Sequence, residues 1–165
     1  MFNIFKNFLE QKTLQNIKKE IKQMHWFYSD YTSEETDKSN FLFYHLIFEN
    51  NKVLSDKYFN TILMPVLGKL NFKYLHRAKL NLYTKQDKQI KTSYHIDCNM
   101  EHTVALFSLN TNNGYTEFAS GEKIESVENR LVIFDGNIEH SGTTHTDAKT
   151  RAVINFNYYT WLTAE

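Results

Sequence analysis

The residues best equipped for chemistry in this sequence are the pair His95-Ile96-Asp97 and a second histidine, His140, in the piece FDGNIEHSG. On a β-strand, residues two apart point to the same face. An imidazole and a carboxylate at 95 and 97 would then project together as two ligands of one metal. The third ligand must come from elsewhere. His140 follows an apolar strand candidate and a turn, where a side chain can point into a barrel mouth; His102 and His145 are rivals for the place. Two imidazoles and one carboxylate on one face suit Fe(II) and leave three positions for a co-substrate and dioxygen. Cys98, next to Asp97, would face away on a strand and adds no thiolate. The plain alternative is a hydrogen-bonded His–Asp pair.

Arg151 adds a second kind of chemistry. Of 19 basic residues only Arg77, Arg130 and Arg151 are arginine. Where lysine is so strongly preferred, an arginine at the start of an apolar strand invites a specific reason. Its planar fork grips a carboxylate at two points, which an ammonium cannot do. Arg151 stands eleven residues beyond His140, and could hold the far carboxylate of a short dicarboxylic acid chelating the metal. The competing reading is a salt bridge to one of the 19 acids.

Two kinds of element must position these groups. Residues 1–72 read as mainly helical support. Leu14, Ile17, Ile21 and Met24 recur at helical spacing, as do Tyr58, Ile62, Leu63 and Val66, with Pro65 as a kink and Gly68 as a C-cap. Ser29 to Asn40 is polar and reads as a loop; periodicity leaves Phe41 to Phe48 unassigned between helix and strand. From about residue 73 the period is two. Ala78, Leu80 and Leu82 alternate with Lys79, Asn81 and Tyr83, and strand candidates follow at 104–109, 131–134 and 153–158, separated by turn-rich pieces. The pattern predicts one α+β domain over 1–165, with helices packed on an antiparallel sandwich or barrel over 73–160.

Composition narrows the class. The chain has 165 residues, 41 per cent of them hydrophobic and 15 per cent aromatic, which argues for a packed core. Its 19 acids cancel its 19 bases, so net charge gives no pull toward nucleic acid or an anionic membrane. One cysteine excludes an internal disulfide and a cysteine-rich zinc site. No apolar run is long enough to span a bilayer, and the segment MFNIFKNFLEQK lacks a signal-peptide pattern. A cytoplasmic location is expected. The excess of Lys, Asn and Ile over Arg, Pro and Gly fits an AT-rich source, a bacterium or its phage.

Taken in order, His95-x-Asp97, His140 and Arg151 resemble the 2-oxoglutarate- and Fe(II)-dependent dioxygenase superfamily. Four surrounding pieces add to the resemblance: RAKLNLYTK (77–85), NNGYTEF (112–118), ENRLVIFDGNIEHSG (128–142) and RAVINFNYY (151–159). The Gly-x-Thr-x-Phe pattern is similar to the prolyl-hydroxylase-like branch. The resemblance spans about residues 73 to 160. It implies a double-stranded β-helix, or jelly roll, with flanking N-terminal helices. It implies Fe(II) held by His95, Asp97 and His140, and 2-oxoglutarate held by Arg151 and Tyr83, with Asn81 near the keto acid. It also implies dioxygen as co-substrate, succinate as co-product and hydroxylation of a C–H bond. Many members carry Ser or Thr two residues after the arginine; here that position is Val153, and Tyr83 is expected to supply the hydroxyl. A substrate lid is expected from Ser29–Phe48 or Thr84–Tyr94.

The substrate itself is not legible. A small molecule or a peptide is favoured over nucleic acid by the neutral charge balance. Two rival readings are a non-catalytic jelly-roll binding module and a cupin-type metalloenzyme that does not use 2-oxoglutarate. Oligomeric state is not encoded in any pattern found.

Overall fold

The computed structural model describes residues 2–32 and 40–160. In chain order its strands are β1 (Asn3–Phe5), β2 (Phe27–Ser29), β3 (Leu42–Glu49), β4 (Lys52–Val53), β5 (Phe72–Thr84), β6 (Thr103–Ser108), β7 (Tyr115–Phe118), β8 (Lys123–Glu125), β9 (Arg130–Asp135), β10 (His140–Gly142) and β11 (Thr150–Thr160). Helix α1 covers Gln11–Ile21; α2 (Asp56–Tyr58) and α3 (Met64–Leu67) flank a π-helical turn, Phe59–Leu63.

β11 is the spine of the molecule. Its sequence TRAVINFNYYT is rich in β-branched and aromatic residues. It pairs antiparallel with β5 on one side and β6 on the other. Among the described residues the larger sheet runs β1-β9-β6-β11-β5-β3-β2, with β4 on β3, and the smaller runs β10-β7-β8. This is a jelly roll.

The alternation in the sequence separates two environments. Ala78 and Leu80 of β5, with Ala152, Ile154, Phe156 and Tyr158 of β11, face the main core, where they meet Leu14 and Ile17 of α1. Each buried Leu, Ile or Phe among them contributes about 1.5–3 kcal/mol. The alternate residues of the same strands, Lys79, Asn81, Tyr83, Arg151, Val153 and Asn155, line a cavity on the opposite side. β11 is therefore buried on both faces, one apolar and one polar. A smaller cluster of Val104, Phe118, Ile124, Val132 and Phe134 fills the rest of the roll.

The first 72 residues differ from the expectation of mainly helical support. Among the described residues helix is confined there to α1 and the α2–α3 segment, and four strands share the region. Phe41–Phe48 proves to be β3, paired with β5 and β2. Its hydrophobic pattern was ambiguous for a physical reason: a register shift between Leu46 and Phe48 breaks the period of two, leaving Ile47 and Phe48 both buried. The Asn50-Asn51 turn into β4 has positive φ at both residues, as a tight hairpin needs.

The second helical segment changes register at the π turn, just before Pro65, which has no N–H to continue the ladder. Gly68 closes it as expected but with right-handed backbone, φ −62°. Of Ser29–Phe48, one of the two expected lid segments, residues 33–39 lie outside the described residues. No helix among the described residues is long and apolar enough to cross a membrane.

Candidate metal centre

His95, Asp97 and His140 each offer a ligand atom, and the three atoms lie within 4.8 Å of one another. The route to this cluster differs from the expected strand through 95–97. Only His95 makes a bridge, opposite His140, and Asp97 sits at a bend. The two backbones exchange a pair of hydrogen bonds, each 3.0 Å, so one ligand's main chain fixes the other's. Their rings stand 4.7 Å apart, centre to centre.

The imidazoles are oriented by carbonyls. His95 Nδ1 lies 3.2 Å from the Ser93 carbonyl oxygen and His140 Nδ1 lies 3.1 Å from that of Ile138. A carbonyl only accepts, so Nδ1 carries the proton in each ring and Nε2 keeps its lone pair. Phe134 packs edge-on against His140 at 5.0 Å. Burial lowers the His140 pKa, against the pull of Asp97.

Asp97 is caged. Its side chain is 6 per cent exposed. Arg77 donates to Oδ1 at 3.2 Å, while Asn155 and Asn157 donate to Oδ2 at 3.0 and 2.8 Å. Burial by itself would raise its pKa. The His140 and Arg77 charges and the two amide donors outweigh burial and hold it at about 2.

His95, Asp97 and His140 share one cavity, of about 110 Å³, with Asn81, Tyr83 and Arg151. Arg151 is 4 per cent exposed. Its Nε donates to Ser126 Oγ at 2.8 Å and a terminal nitrogen donates to the Thr143 carbonyl at 3.1 Å, both neutral acceptors. Its guanidinium lies over the Tyr83 ring, 5.3 Å from the centre. No carboxylate forms an ion pair with it among the described residues. Gly114 makes room: a Cβ there would stand 2.8 Å from Arg151 Cδ. Val153, the position where a hydroxyl was missed, also lines the cavity, and Ser126 supplies a hydroxyl from a different part of the chain. Asn81 leaves its buried Oδ1 without a partner, and Asn155 does the same with the amide oxygen turned away from Asp97.

The rival histidines lie elsewhere. The His102 ring packs on Gly136, with Nδ1 2.6 Å from the Met100 carbonyl and 3.3 Å from Cys98 Sγ. His145 is fully buried outside the cavity lining. The segment after β5, the other expected lid, is tied down by Thr92 N–H to the Gly142 carbonyl and by Lys91 and Tyr94 to Glu117. Arg77, Lys79, Asn155, Asn157 and Ser126 were not singled out from sequence. An Asn-x-Asn on a strand whose other face is wholly apolar was the available signal for two of them.

No protein-family model matches the sequence, and no curated protein matches it either. Solved structures do match in shape. An oxidoreductase of the 2OG-Fe(II) oxygenase family from Burkholderia pseudomallei has a TM-score of 0.75 at 13 per cent identity, covering 96 per cent of this chain and 84 per cent of that one. A prolyl-4-hydroxylase from Pseudomonas putida gives 0.63 at 15 per cent, covering 96 and 92 per cent. This chain has the 2OG-Fe(II) oxygenase fold. The epimerase SnoN in complex with Fe3+, alpha ketoglutarate and nogalamycin RO gives 0.69 at 8 per cent, covering 96 and 78 per cent. The double-stranded β-helix expected from the sequence is the fold observed.

Proposed function

We propose that this protein is an Fe(II)- and 2-oxoglutarate-dependent oxygenase. His95, Asp97 and His140 are its iron ligands. Arg151 and Tyr83 hold the distal carboxylate of 2-oxoglutarate, and Asn81, which lines the same cavity, stands near the keto acid. The observation that carries the reading is Arg151: a buried cation bonded only to neutral groups, facing the cavity that the three ligating groups also face. A buried charge without a counter-charge is costly, and a dicarboxylate chelating a metal at the triad would supply the missing anion.

The donor set fits iron: two imidazoles and one carboxylate, hard and borderline ligands with no thiolate. With 2-oxoglutarate and dioxygen, bound Fe(II) supplies the oxidation, giving succinate, carbon dioxide and a hydroxylated C–H bond. The chain's own work is placement. The paired backbones of His95 and His140 set the imidazoles, and the Arg77–Asn155–Asn157 cage sets the carboxylate. Tyr83 and Ser126 hold the guanidinium fork, and Phe134 keeps one side of the ligand set dry. The substrate is a small molecule or a peptide.

The test is a binding isotherm of 2-oxoglutarate on Zn(II)-loaded protein. Arg151→Met is expected to retain the metal and weaken 2-oxoglutarate by at least about 100-fold, the scale of breaking a buried charge pair. His140→Ala is expected to lose the metal. Undiminished 2-oxoglutarate affinity in Arg151→Met would overturn the assignment.

A further inference from the structure

Asn155 of β11 holds an acceptor that nothing in the proposed chemistry uses. Its side chain lines the metal cavity and is 7 per cent exposed. One end of its amide is spent: Nδ2 donates to Asp97 Oδ2 at 3.0 Å. Asp97, with a pKa of about 2, is ionised and can only accept, so the amide cannot turn over without losing that bond. The other end, Oδ1, is therefore fixed as an acceptor, and it is buried with no hydrogen-bond partner. Folded proteins seldom leave such an atom unpaired, because its desolvation goes uncompensated.

The neighbours do not supply the donor. Across the strands Asn155 is in register with Lys79 of β5 and Leu106 of β6, which also line the cavity. Leu106 has no polar side-chain atom. The Lys79 ammonium stands 5.8 Å from the centre of the Tyr44 ring and makes no bond to Asn155. Ionised 2-oxoglutarate brings acceptors alone. Asn81 also has a buried, unpartnered Oδ1, but no hydrogen bond pins its amide among the described residues, so it can turn its Nδ2 to the keto acid. Asn155 cannot. The missing donor is left to the substrate, and the surroundings select its charge. An oxyanion would set oxygen against oxygen. An ammonium would stand among the like charges of Arg77 and Lys79. A second groove of about 570 Å³ meets the cavity at Thr32, Arg77 and Lys79. Its charges balance, Asp30 and Glu49 against Arg77 and Lys79, and Tyr28, Tyr31 and Tyr44 give it an aromatic wall. An uncharged N–H or O–H group meets every one of these conditions.

We propose that Asn155 determines substrate specificity: its Oδ1 accepts a hydrogen bond from an uncharged amide N–H or hydroxyl of a substrate whose apolar body lies along the tyrosine-lined groove. This rests on the reading of His95, Asp97 and His140 as the metal site. One amide thereby serves two partners, steadying the ligating carboxylate with its nitrogen and reading the substrate with its oxygen. A substrate without the donor leaves that oxygen unpaired and binds poorly.

The test uses full-length, nitrogen-15-labelled protein loaded with redox-inert Zn(II) and saturating 2-oxoglutarate. Phenylacetamide and phenylethanol carry a donor; N,N-dimethylphenylacetamide keeps the ring and the carbonyl and has none. Each is titrated to millimolar concentration. Binding is followed by the Leu106 backbone amide and by the Asn155 side-chain amide, which is assigned by its absence from Asn155→Leu. The expected result is a saturable shift of both resonances with at least one donor probe, at an affinity at least about tenfold above that of the dimethyl compound. In Asn155→Leu, brought to full Zn(II) occupancy, the preference is expected to vanish. In Lys79→Met, which leaves Asn155 and Asp97 in place, it is expected to persist. The proposal is overturned if no donor probe moves the resonances, or if the dimethyl compound binds equally well, as it would where a resident water already meets Oδ1. It is also overturned if Asn155→Leu keeps the preference or Lys79→Met loses it. Metal content and 2-oxoglutarate affinity are read on the same sample. Protein that holds neither condemns the metal reading and this proposal with it; loaded wild-type protein without the preference condemns this proposal alone.

Discussion

Asp97 accepts three hydrogen bonds before any metal arrives. Such donors fix a carboxylate's orientation and temper its basicity, and losing one typically costs about 10–100-fold in metal affinity. Asn157→Leu, which removes the shorter amide contact, is expected to weaken metal binding by that factor, measured by competition with a chromophoric chelator, while 2-oxoglutarate affinity of the metal-saturated protein changes little. The depressed carboxyl also has a pH signature in the metal-free protein. A folded-state pKa of about 2 lies below the unfolded value of about 4, so Asp97 stabilises the fold above about pH 4 and loses that contribution as pH falls toward 2. Arg77→Met removes one cause of the depression, so acid unfolding followed by circular dichroism is expected to begin at higher pH. At this scale His95, Asp97, His140 and Arg151 were picked out by their residue types and by their order among four surrounding motifs, since His-x-Asp alone is a common pattern. Asn155, Asn157 and Ser126 were not, because a neutral amide or hydroxyl acquires its role only from the neighbour it meets.

The elements act by what they bring together. Residues 95 and 140 are far apart in the chain, yet two reciprocal backbone hydrogen bonds join them. Gly114 shows how little slack the arrangement has. Gly114→Ala places a Cβ 2.8 Å from both Arg151 Cδ and Asn112 Oδ1. It is expected to displace the arginine and weaken 2-oxoglutarate, with metal stoichiometry retained, in the same binding isotherm on Zn(II)-loaded protein used for Arg151→Met. Helix α1 plays a purely structural part: Ile17 is fully buried against the core face of the sheet. Ile17→Ala is expected to cost about 2–5 kcal/mol in urea unfolding without altering metal stoichiometry in the folded protein. β5, β6, β9 and β11 were readable as alternating or apolar runs, whereas the three-residue strands β8 and β10 were too short to show a period. β3 was not readable, because a bulge interrupts its alternation. The amount of helix before residue 72 was overestimated for the same reason: short apolar runs carry no period of their own.

On the scale of the molecule, a chain of zero net charge places Arg77, Lys79 and Arg151 around the cavity that Asp97 also lines. The composition concealed this, since a balanced total says nothing about where charge sits. The fold followed from the order of four short pieces and not from overall sequence likeness, which is at most 15 per cent to the structures compared. What joins the parts is the claim that the triad and Arg151 serve one chelating dicarboxylate. Anaerobic addition of Fe(II) and then 2-oxoglutarate, followed by visible absorption, tests it most directly. The account predicts a weak metal-to-ligand charge-transfer band that needs both additions and is lost in Asp97→Ala. Folded wild-type protein that binds Fe(II) and 2-oxoglutarate yet shows no such band would contradict it.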